Sequence, residues 1–189
     1  MLNLIDIRPC RKEIIWDYFP ENEWNRFHNI LDCASGDGRK GMQYYIGRGL
    51  NTNNYDVHAI DINRRGLKVL SKLGVQTHHQ NLVHSMPSTF LLDIKFDLIL
   101  CVETLEHLTQ KCQDDLLNDF IRILKLDGHL VITFPVDAFS KPNATHIRQP
   151  KYKHLLKKLE PLFQCVEMRK YGDTTFMLFF TGKLHGTSK

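Results

Sequence analysis

One predicted turn combines small residues and acids in a pattern that could bind a nucleoside-containing cofactor. The segment Leu31–Gly38 (LDCASGDG) leads from an apolar, β-rich stretch into glycines and then into a helical pattern. Glycines at such a turn let the backbone approach a ligand closely. Asp61 follows the next apolar stretch, and an acid at the carboxyl end of a second strand can accept both hydroxyls of a ribose. Together these residues predict a bound cofactor that contains adenosine.

The glycines alone do not decide which cofactor is bound. The segment Gly36–Gly41 also matches G-x-G-x-x-G, the dinucleotide fingerprint. Two acids argue against a dinucleotide, because Asp32 interrupts the strand before the turn and Asp37 would repel a pyrophosphate on the helix N-terminus. S-adenosylmethionine carries a cationic sulfonium and an ammonium, so nearby acids suit it. A tight turn without any ligand is the remaining alternative.

A second group of chemically active residues is Glu103, Glu106 and His107, with His146 as a further candidate. If Glu103 opens a helix, positions i, i+3 and i+4 lie on one face, so two carboxylates and an imidazole converge. Three interpretations stay open. In the first, His107 or His146 is a general base oriented by a glutamate such as Glu103. In the second, all four residues bind a divalent cation (Mg²⁺, Mn²⁺ or Zn²⁺) that activates a hydroxyl. In the third, they have only a structural role.

The elements that must position these groups alternate along the chain. Apolar, β-rich runs are separated by segments of helical periodicity, which indicates an α/β protein with a mostly parallel sheet. Only a short turn separates the last two runs, which predicts an antiparallel hairpin. The predicted strands are 29–34, 56–61, 75–80, 96–102, 129–134, 164–170 and 175–182. The predicted helices lie near 10–18, 38–47, 63–73, 104–109, 113–125 and 150–162.

From about residue 29 to its end, the sequence resembles the class I S-adenosylmethionine-dependent methyltransferases. The resemblance rests on the glycine-rich segment, on Asp61, on the strand and following acid at 96–103, and on the helix, turn and strand at 122–132. It implies a Rossmann-like methyltransferase fold. Such a fold has a seven-stranded, mostly parallel sheet with an antiparallel C-terminal hairpin strand, and helices cover both faces.

The resemblance also assigns residues to the cofactor. Asp32 would bond the ammonium of the methionine half, and Ile62 and Leu82 would flank the adenine. Ala34 stands where many members have glycine, and Asn81 where many have an aspartate near the adenine amine. The amide oxygen of Asn81 can still accept a hydrogen bond from that amine. The full assigned set is Asp32, Ala34, Gly36, Gly38, Asp61, Ile62, Asn81, Leu82 and Val102.

The pattern E-x-x-E-H at 103–107, followed by His146, resembles two groups within that superfamily. One group O-methylates polyprenyl dihydroxybenzoates, and the other methylates the 3′-terminal ribose of small RNAs. The resemblance extends to a divalent cation held by Glu103, Glu106, His107 and His146.

Composition and charge limit the classes of protein that fit. The 189 residues are 42% hydrophobic and 24% charged, which suits one globular domain over 1–189, with 1–28 as an N-terminal helical segment or lid and 29–189 as the catalytic core. Aromatic residues in that first segment either dock it on the sheet or cap the substrate pocket. No stretch is long and apolar enough to span a membrane. Five cysteines without a C-x-x-C pair favour a reducing compartment, so we expect a cytoplasmic protein.

The net charge of +4 is unevenly distributed. Residues 139–189 hold ten Lys and Arg against three Asp and Glu, so a positive surplus lies in the last quarter. That surplus fits either the solvated side of a helix or an anionic partner. We therefore expect a methyltransferase that O-methylates a small-molecule acceptor, with an anionic acceptor favoured. The alternatives are a metal-assisted RNA 3′-terminal ribose 2′-O-methyltransferase, an NAD(P)-binding oxidoreductase and a binding module without catalysis.

Overall fold

The computed structural model describes residues 11–19, 21–39, 41–84, 93–135, 150–171 and 175–184. Its seven strands are β1 Asn29–Cys33, β2 Asp56–Asp61, β3 Gln76–His79, β4 Phe96–Val102, β5 Leu124–Pro135, β6 Phe163–Tyr171 and β7 Thr175–Lys183. Its α-helices are α1 Arg11–Tyr18, α2 Glu21–Trp24, α3 Met42–Gly47, α4 Arg64–Ser71, α5 Gln110–Ile123 and α6 Tyr152–Leu159. Single 3₁₀ turns cover Leu82–His84, Leu105–His107 and Glu160–Leu162.

The strands form one sheet in the order β3-β2-β1-β4-β5-β7-β6. The first five strands in this order are parallel, while β7 runs antiparallel to both β5 and β6. The predicted fold class is therefore confirmed, including the C-terminal hairpin strand inserted near one edge. The carboxyl ends of β1, β2 and β4 meet at one edge of the sheet, so the segments that follow them are neighbours.

Each central strand buries both of its faces, as the nearly continuous apolar run of β4 predicts. Leu31 and Ile99 contribute to a core beneath α5 and α6, whereas their neighbours Ile30 and Leu98 contribute to a core beneath α1, α3 and α4. Successive side chains of a strand point to opposite faces, so one strand supplies both cores. Helices therefore cover both faces of the sheet.

The N-terminal aromatic residues belong to the second of these cores. Trp24 is stacked against Trp16 with ring centroids 4.6 Å apart, and Phe19 and Phe27 are almost completely buried. Tyr18 stacks on Phe179 of β7 at 3.8 Å. These contacts are what docking of the segment on the sheet predicts. None of the five lines the cavities described below.

Two predicted boundaries on either side of α5 are wrong. The helix begins at Gln110 because Thr109 caps it, accepting a hydrogen bond from the Cys112 amide at 3.3 Å. It ends at Ile123, and β5 starts at once because Leu124 pairs with Phe96 of β4. The expected turn lies inside β5 as a register shift, where Asp127 has a φ of +62°.

The other helix predictions differ mainly in length. The helix predicted at 38–47 begins only at Met42, because Gly38 has a φ of +77° and stays in the turn. The helix predicted at 104–109 is a single 3₁₀ turn, Leu105–His107. In the described part of the chain, no helix is both long and apolar enough to cross a membrane.

Candidate active site

A crevice of two adjoining cavities lies at the carboxyl ends of β1, β2 and β4. The larger has a volume of about 810 Å³ and the smaller about 330 Å³. Ala34, Glu103 and His107 line both, so the two cavities meet at these residues. The larger is otherwise lined by Asp32, Ser35, Gly36, Asp37, Arg39, Gly41, Asn63, Val102 and Glu106. The smaller is otherwise lined by Asp61, Ile62, Gln80, Asn81, Leu82, Val83, Thr104 and Leu108.

Asp32 provides a buried acid at the floor of the larger cavity. It is 3% exposed, and a Cβ at Gly41 would come within 3.2 Å of its Oδ2 atom, so the glycine makes room for the carboxyl. Burial raises the pKa of Asp32 to about 7, a hydrogen bond with the Met42 backbone opposes that rise, and Asp61 adds to it. Within the described part of the chain, neither Asp32 Oδ2 nor the buried Ser35 Oγ has a hydrogen-bond partner.

Asp61 links the ends of β1 and β2. Its Oδ2 accepts a hydrogen bond from the Gly36 amide at 2.7 Å, and its Oδ1 accepts one from the Asn63 amide at 2.6 Å. Each carboxylate oxygen has two lone pairs, so both atoms can accept further bonds from a ligand in the smaller cavity. The residue predicted to hold a ribose therefore also fixes the glycine-rich turn.

The smaller cavity has an apolar wall. Ile62 is 61% exposed although it is a large aliphatic residue, and Leu82 lines the same cavity. Asn81 Oδ1 accepts a hydrogen bond from the Val83 amide at 3.0 Å. These predicted adenine contacts are thus brought together in one cavity.

The glycine-rich turn contains three residues with left-handed backbone. Gly36 and Gly38 have φ values of +60° and +77°, and Ala34 adopts +61° although it has a Cβ. Gly36 and Ala34 line the crevice, but Gly38 does not. A Cβ on Gly38 would come within 2.4 Å of Leu70 in α4, so this glycine allows packing against that helix.

The acidic turn after β4 does not have the predicted helical geometry. Glu103 has a φ of +51°, and the following turn is 3₁₀. Glu106 is 1% exposed, and its Oε1 lies 3.9 Å from His107 Nε2, whose side chain is 41% exposed. Glu103 is instead bound to Thr133 of β5, whose Oγ1 donates to Glu103 Oε1 at 3.2 Å.

The predicted metal site is not formed by the residues that the structure describes. Among them, no group of three or more His, Cys, Asp or Glu side chains converges as a metal would require. Glu103, Glu106 and His107 share the larger cavity, but the left-handed backbone at Glu103 takes its carboxylate to Thr133 and away from a common helical face. His146, the fourth predicted ligand, lies outside the described residues.

Several residues that shape the site were not predicted from the sequence. Gln113 of α5, which is buried, donates to the carbonyls of Leu105 and Leu108 at 2.7 and 3.2 Å and so closes the acidic turn. Gly66 of α4 lets the glycine-rich turn pack against that helix. For Thr133, the sequence offered one signal, because it is a lone polar residue in an otherwise apolar part of its strand. The unpredicted residues are Ser35, Gly41, Asn63, Gly66, Gln113 and Thr133.

Charges around the crevice are mostly acidic in the described residues. The larger cavity is lined by four acids, and its one arginine, Arg39, is paired with Asp37 at 2.6 Å. Part of the basic surplus on α6 is neutralised by α5, since Lys158 and His154 both contact Asp114. Two exposed lysines, Lys153 and Lys157, face solvent.

Comparisons with known proteins give a consistent result. A family model described as a methyltransferase domain matches residues 31–132. No curated protein matches this chain. The solved structure of a TehB-like SAM-dependent methyltransferase from Corynebacterium glutamicum is similar, with 20% sequence identity and a TM-score of 0.61. The match covers 90% of this chain and 85% of that protein's chain.

Two further solved structures have similar folds. A SAM-dependent methyltransferase from Archaeoglobus fulgidus is 14% identical with a TM-score of 0.64, over 90% of this chain and 94% of its own. The N-methyltransferase NodS from Bradyrhizobium japonicum, solved with S-adenosyl-L-homocysteine, is 13% identical with a TM-score of 0.60. That match covers 91% of this chain and 92% of the NodS chain. At these identities the likeness shows the fold.

Proposed function

Because the chain belongs to the methyltransferase domain family, as a class I S-adenosylmethionine-dependent enzyme, we propose that it transfers a methyl group to an oxygen atom of a small-molecule acceptor. The family excludes the alternative of an NAD(P)-dependent oxidoreductase. When bound, S-adenosylmethionine supplies a methyl group activated by a positively charged sulfur.

One observation supports the cofactor above all others. Asp32 Oδ2 and Ser35 Oγ are buried at the larger cavity and have no hydrogen-bond partner among the described residues. A buried polar atom without a partner is costly, so a ligand that donates hydrogen bonds there gains binding energy. The ammonium of the methionine half is such a donor. It would also compensate the negative charge of the Asp32 carboxylate.

The remaining cofactor contacts follow from the two cavities. Asp61 has lone pairs available for the ribose hydroxyls, and Ile62 and Leu82 offer an apolar slot for the adenine. We assign the backbone at Gly36 and Val102 to the methionine half, since both line the larger cavity. Gly38 is assigned a packing role against α4 in place of direct contact.

His107 is the proposed general base. An alcohol or phenol is a poor nucleophile until its proton is removed, and a half-exposed imidazole at the cavity can accept that proton. Glu106 Oε1, 3.9 Å from His107 Nε2, would compensate the positive charge that the imidazole gains. The chain's task is therefore to align the acceptor oxygen and to hold its proton on His107.

The acidic lining bears on the nature of the acceptor. Asp32 is assigned to the cofactor ammonium and Asp37 is paired with Arg39, so Glu103 and Glu106 are the acids left to face the acceptor. Their carboxylates would repel an anion, whereas hydroxyl or ammonium groups can donate hydrogen bonds to them. We therefore propose an uncharged or cationic acceptor with several hydrogen-bond donors, in place of the anionic acceptor that the basic last quarter favoured. No described contact favours RNA over a small molecule.

Calorimetry with S-adenosylhomocysteine tests the cofactor assignment. The wild-type protein should bind it, and Asp32→Asn should weaken binding about tenfold to a hundredfold, because a hydrogen bond to a charged group is worth ~1.5–3 kcal/mol. Asp61→Asn should also weaken binding. Glu160→Gln, which removes an exposed carboxyl that lines neither cavity, is the matched control and should leave affinity unchanged. Wild-type protein that fails to bind, or Asp32→Asn protein that binds equally well, contradicts the proposal.

A second measurement tests the base. His107→Gln should keep S-adenosylhomocysteine affinity while losing methyl transfer to a hydroxylated acceptor found by screening for S-adenosylhomocysteine release. Unchanged turnover in His107→Gln would remove this residue from the mechanism.

A further inference from the structure

Glu103 occupies a position in the crevice that the cofactor assignment leaves unused. With Ala34 and His107, it lines both cavities, so this residue lies where they meet. The smaller cavity has the features of a nucleoside site, and the larger has those of an amino-acid site. In S-adenosylmethionine the positively charged sulfur joins the nucleoside to the amino acid. Glu103 is therefore the carboxylate at the position where that charge falls.

The geometry of Glu103 is set by one buried residue on the neighbouring strand. The Thr133 hydroxyl accepts a hydrogen bond from the Glu103 amide at 3.1 Å and donates to Glu103 Oε1 at 3.2 Å. The Thr133 carbonyl also accepts from the Glu103 amide at 3.1 Å. A single hydroxyl thus ties the backbone and the carboxylate of the same residue together.

The backbone at Glu103 is itself unusual. A φ of +51° is rare for a residue with a Cβ, and such a conformation persists only where neighbouring contacts hold it. Thr133 is 0% exposed and pairs with Val102 in the sheet, so it is a rigid anchor. These contacts hold Glu103 in place before any ligand binds.

We propose that Glu103, positioned by Thr133, recognises the sulfonium charge and makes this protein bind the methyl donor more tightly than the demethylated product. The inference rests on the proposed function. S-adenosylmethionine differs from S-adenosylhomocysteine by one methyl group and one positive charge. A carboxylate at the junction therefore attracts the sulfonium of S-adenosylmethionine but has no such attraction to the uncharged sulfur of S-adenosylhomocysteine. Thr133 is a positioning residue, since it acts only through Glu103.

The ratio of two affinities measures this discrimination without any methyl acceptor. Calorimetry gives dissociation constants for S-adenosylmethionine and S-adenosylhomocysteine with wild-type, Glu103→Gln, Thr133→Val, Thr133→Ser and Glu160→Gln proteins. We expect Glu103→Gln to lower the preference for the donor about tenfold. Thr133→Val should lower it by a smaller factor. Thr133→Ser keeps the hydroxyl and should retain the wild-type ratio, as should Glu160→Gln.

Each other result has a definite meaning. A ratio unchanged in Glu103→Gln, or equal losses of affinity for both ligands, overturns the inference while leaving the cofactor assignment intact. A ratio unchanged in Thr133→Val but lowered in Glu103→Gln overturns the part played by Thr133. Wild-type protein that binds neither ligand overturns the proposed function and this inference together.

Discussion

At the scale of single residues, the electrostatics of the crevice depend most on Asp32. Burial raises its pKa to about 7, so near neutral pH the carboxyl is divided between its neutral and charged forms. In an unfolded chain the same group titrates near 3.8. The folded protein without ligand therefore holds a proton between these two pH values that the unfolded chain does not hold.

This difference predicts a pH-dependent stability. Between pH 4 and 7 the raised pKa makes the free energy of unfolding fall as pH rises, by at most ~1.4 kcal/mol per pH unit from this group. Asp32→Asn removes the titration, so its stability relative to wild type should increase from pH 5 to pH 8. Urea unfolding of the two proteins at several pH values measures this difference in the free energy of unfolding. A constant difference across that range would contradict the assignment.

Ligand binding should show the opposite trend. The ammonium pairs with the ionised carboxylate, so wild-type affinity for S-adenosylhomocysteine should rise with pH up to the pKa of Asp32, by up to about tenfold per pH unit. Calorimetry at pH 5.5, 6.5 and 7.5 tests this, with Asp32→Asn as the pH-independent control. A flat profile for wild type would show that Asp32 is already charged in the free protein.

At the scale of elements, α4 packs directly against the backbone of the glycine-rich turn. A Cβ on Gly66 would lie 2.2 Å from the Gly36 carbonyl oxygen and 2.8 Å from Asp37 Cα, so backbone meets backbone there. Asn63 caps the start of this helix, because its side chain accepts a hydrogen bond from the Gly66 amide. Gly47 at the end of α3 differs, since its Cβ would meet no atom within 4 Å.

The two glycines make a matched pair for substitution. Gly66→Ala should displace the glycine-rich turn, reduce stability by ~1–3 kcal/mol and weaken S-adenosylhomocysteine binding about tenfold. Gly47→Ala should keep full affinity and gain up to ~1 kcal/mol, because alanine is the better helix former. Thermal unfolding and calorimetry provide both readouts. Equal behaviour of the two variants would show that the α4 contact does not hold the turn.

At the scale of the whole molecule, the N-terminal segment completes one of the two cores. Ile15, Phe19 and Trp24 are buried together with Tyr45 of α3 and Phe179 of β7. Trp24 also donates from its indole nitrogen to the Trp16 carbonyl at 2.9 Å. Removing this segment from the sheet would expose large aromatic surfaces, so it should unfold with the rest of the protein.

Fluorescence provides a direct check, because both tryptophans of the chain, Trp16 and Trp24, lie in this segment. Urea unfolding followed by tryptophan fluorescence and by far-ultraviolet circular dichroism should give coincident transitions, as expected for a single cooperative unit. A fluorescence transition at clearly lower urea would indicate a segment that detaches independently, as a lid does.

Much of this protein follows from local pattern in the sequence. The alternation of apolar strands with helical segments was enough to predict the sheet and its hairpin. A strand that is buried on both faces must be apolar along its own length, so each such strand can be recognised separately. Asp32 and Asp61 could be singled out because each is an acid at or just before the carboxyl end of a largely apolar strand. The carboxyl ends of parallel strands necessarily converge, so their grouping in one crevice needed no further information.

The tertiary structure decided what depends on contacts between distant parts of the chain. Thr133 holds Glu103 across 30 positions, and the left-handed backbone at Glu103 replaces the expected helical face with a 3₁₀ turn. Gly66 and Gly38 matter because α4 passes directly beneath the glycine-rich turn. No local pattern encodes such through-space packing, since the energy of each contact depends on where both partners lie once the sheet has formed.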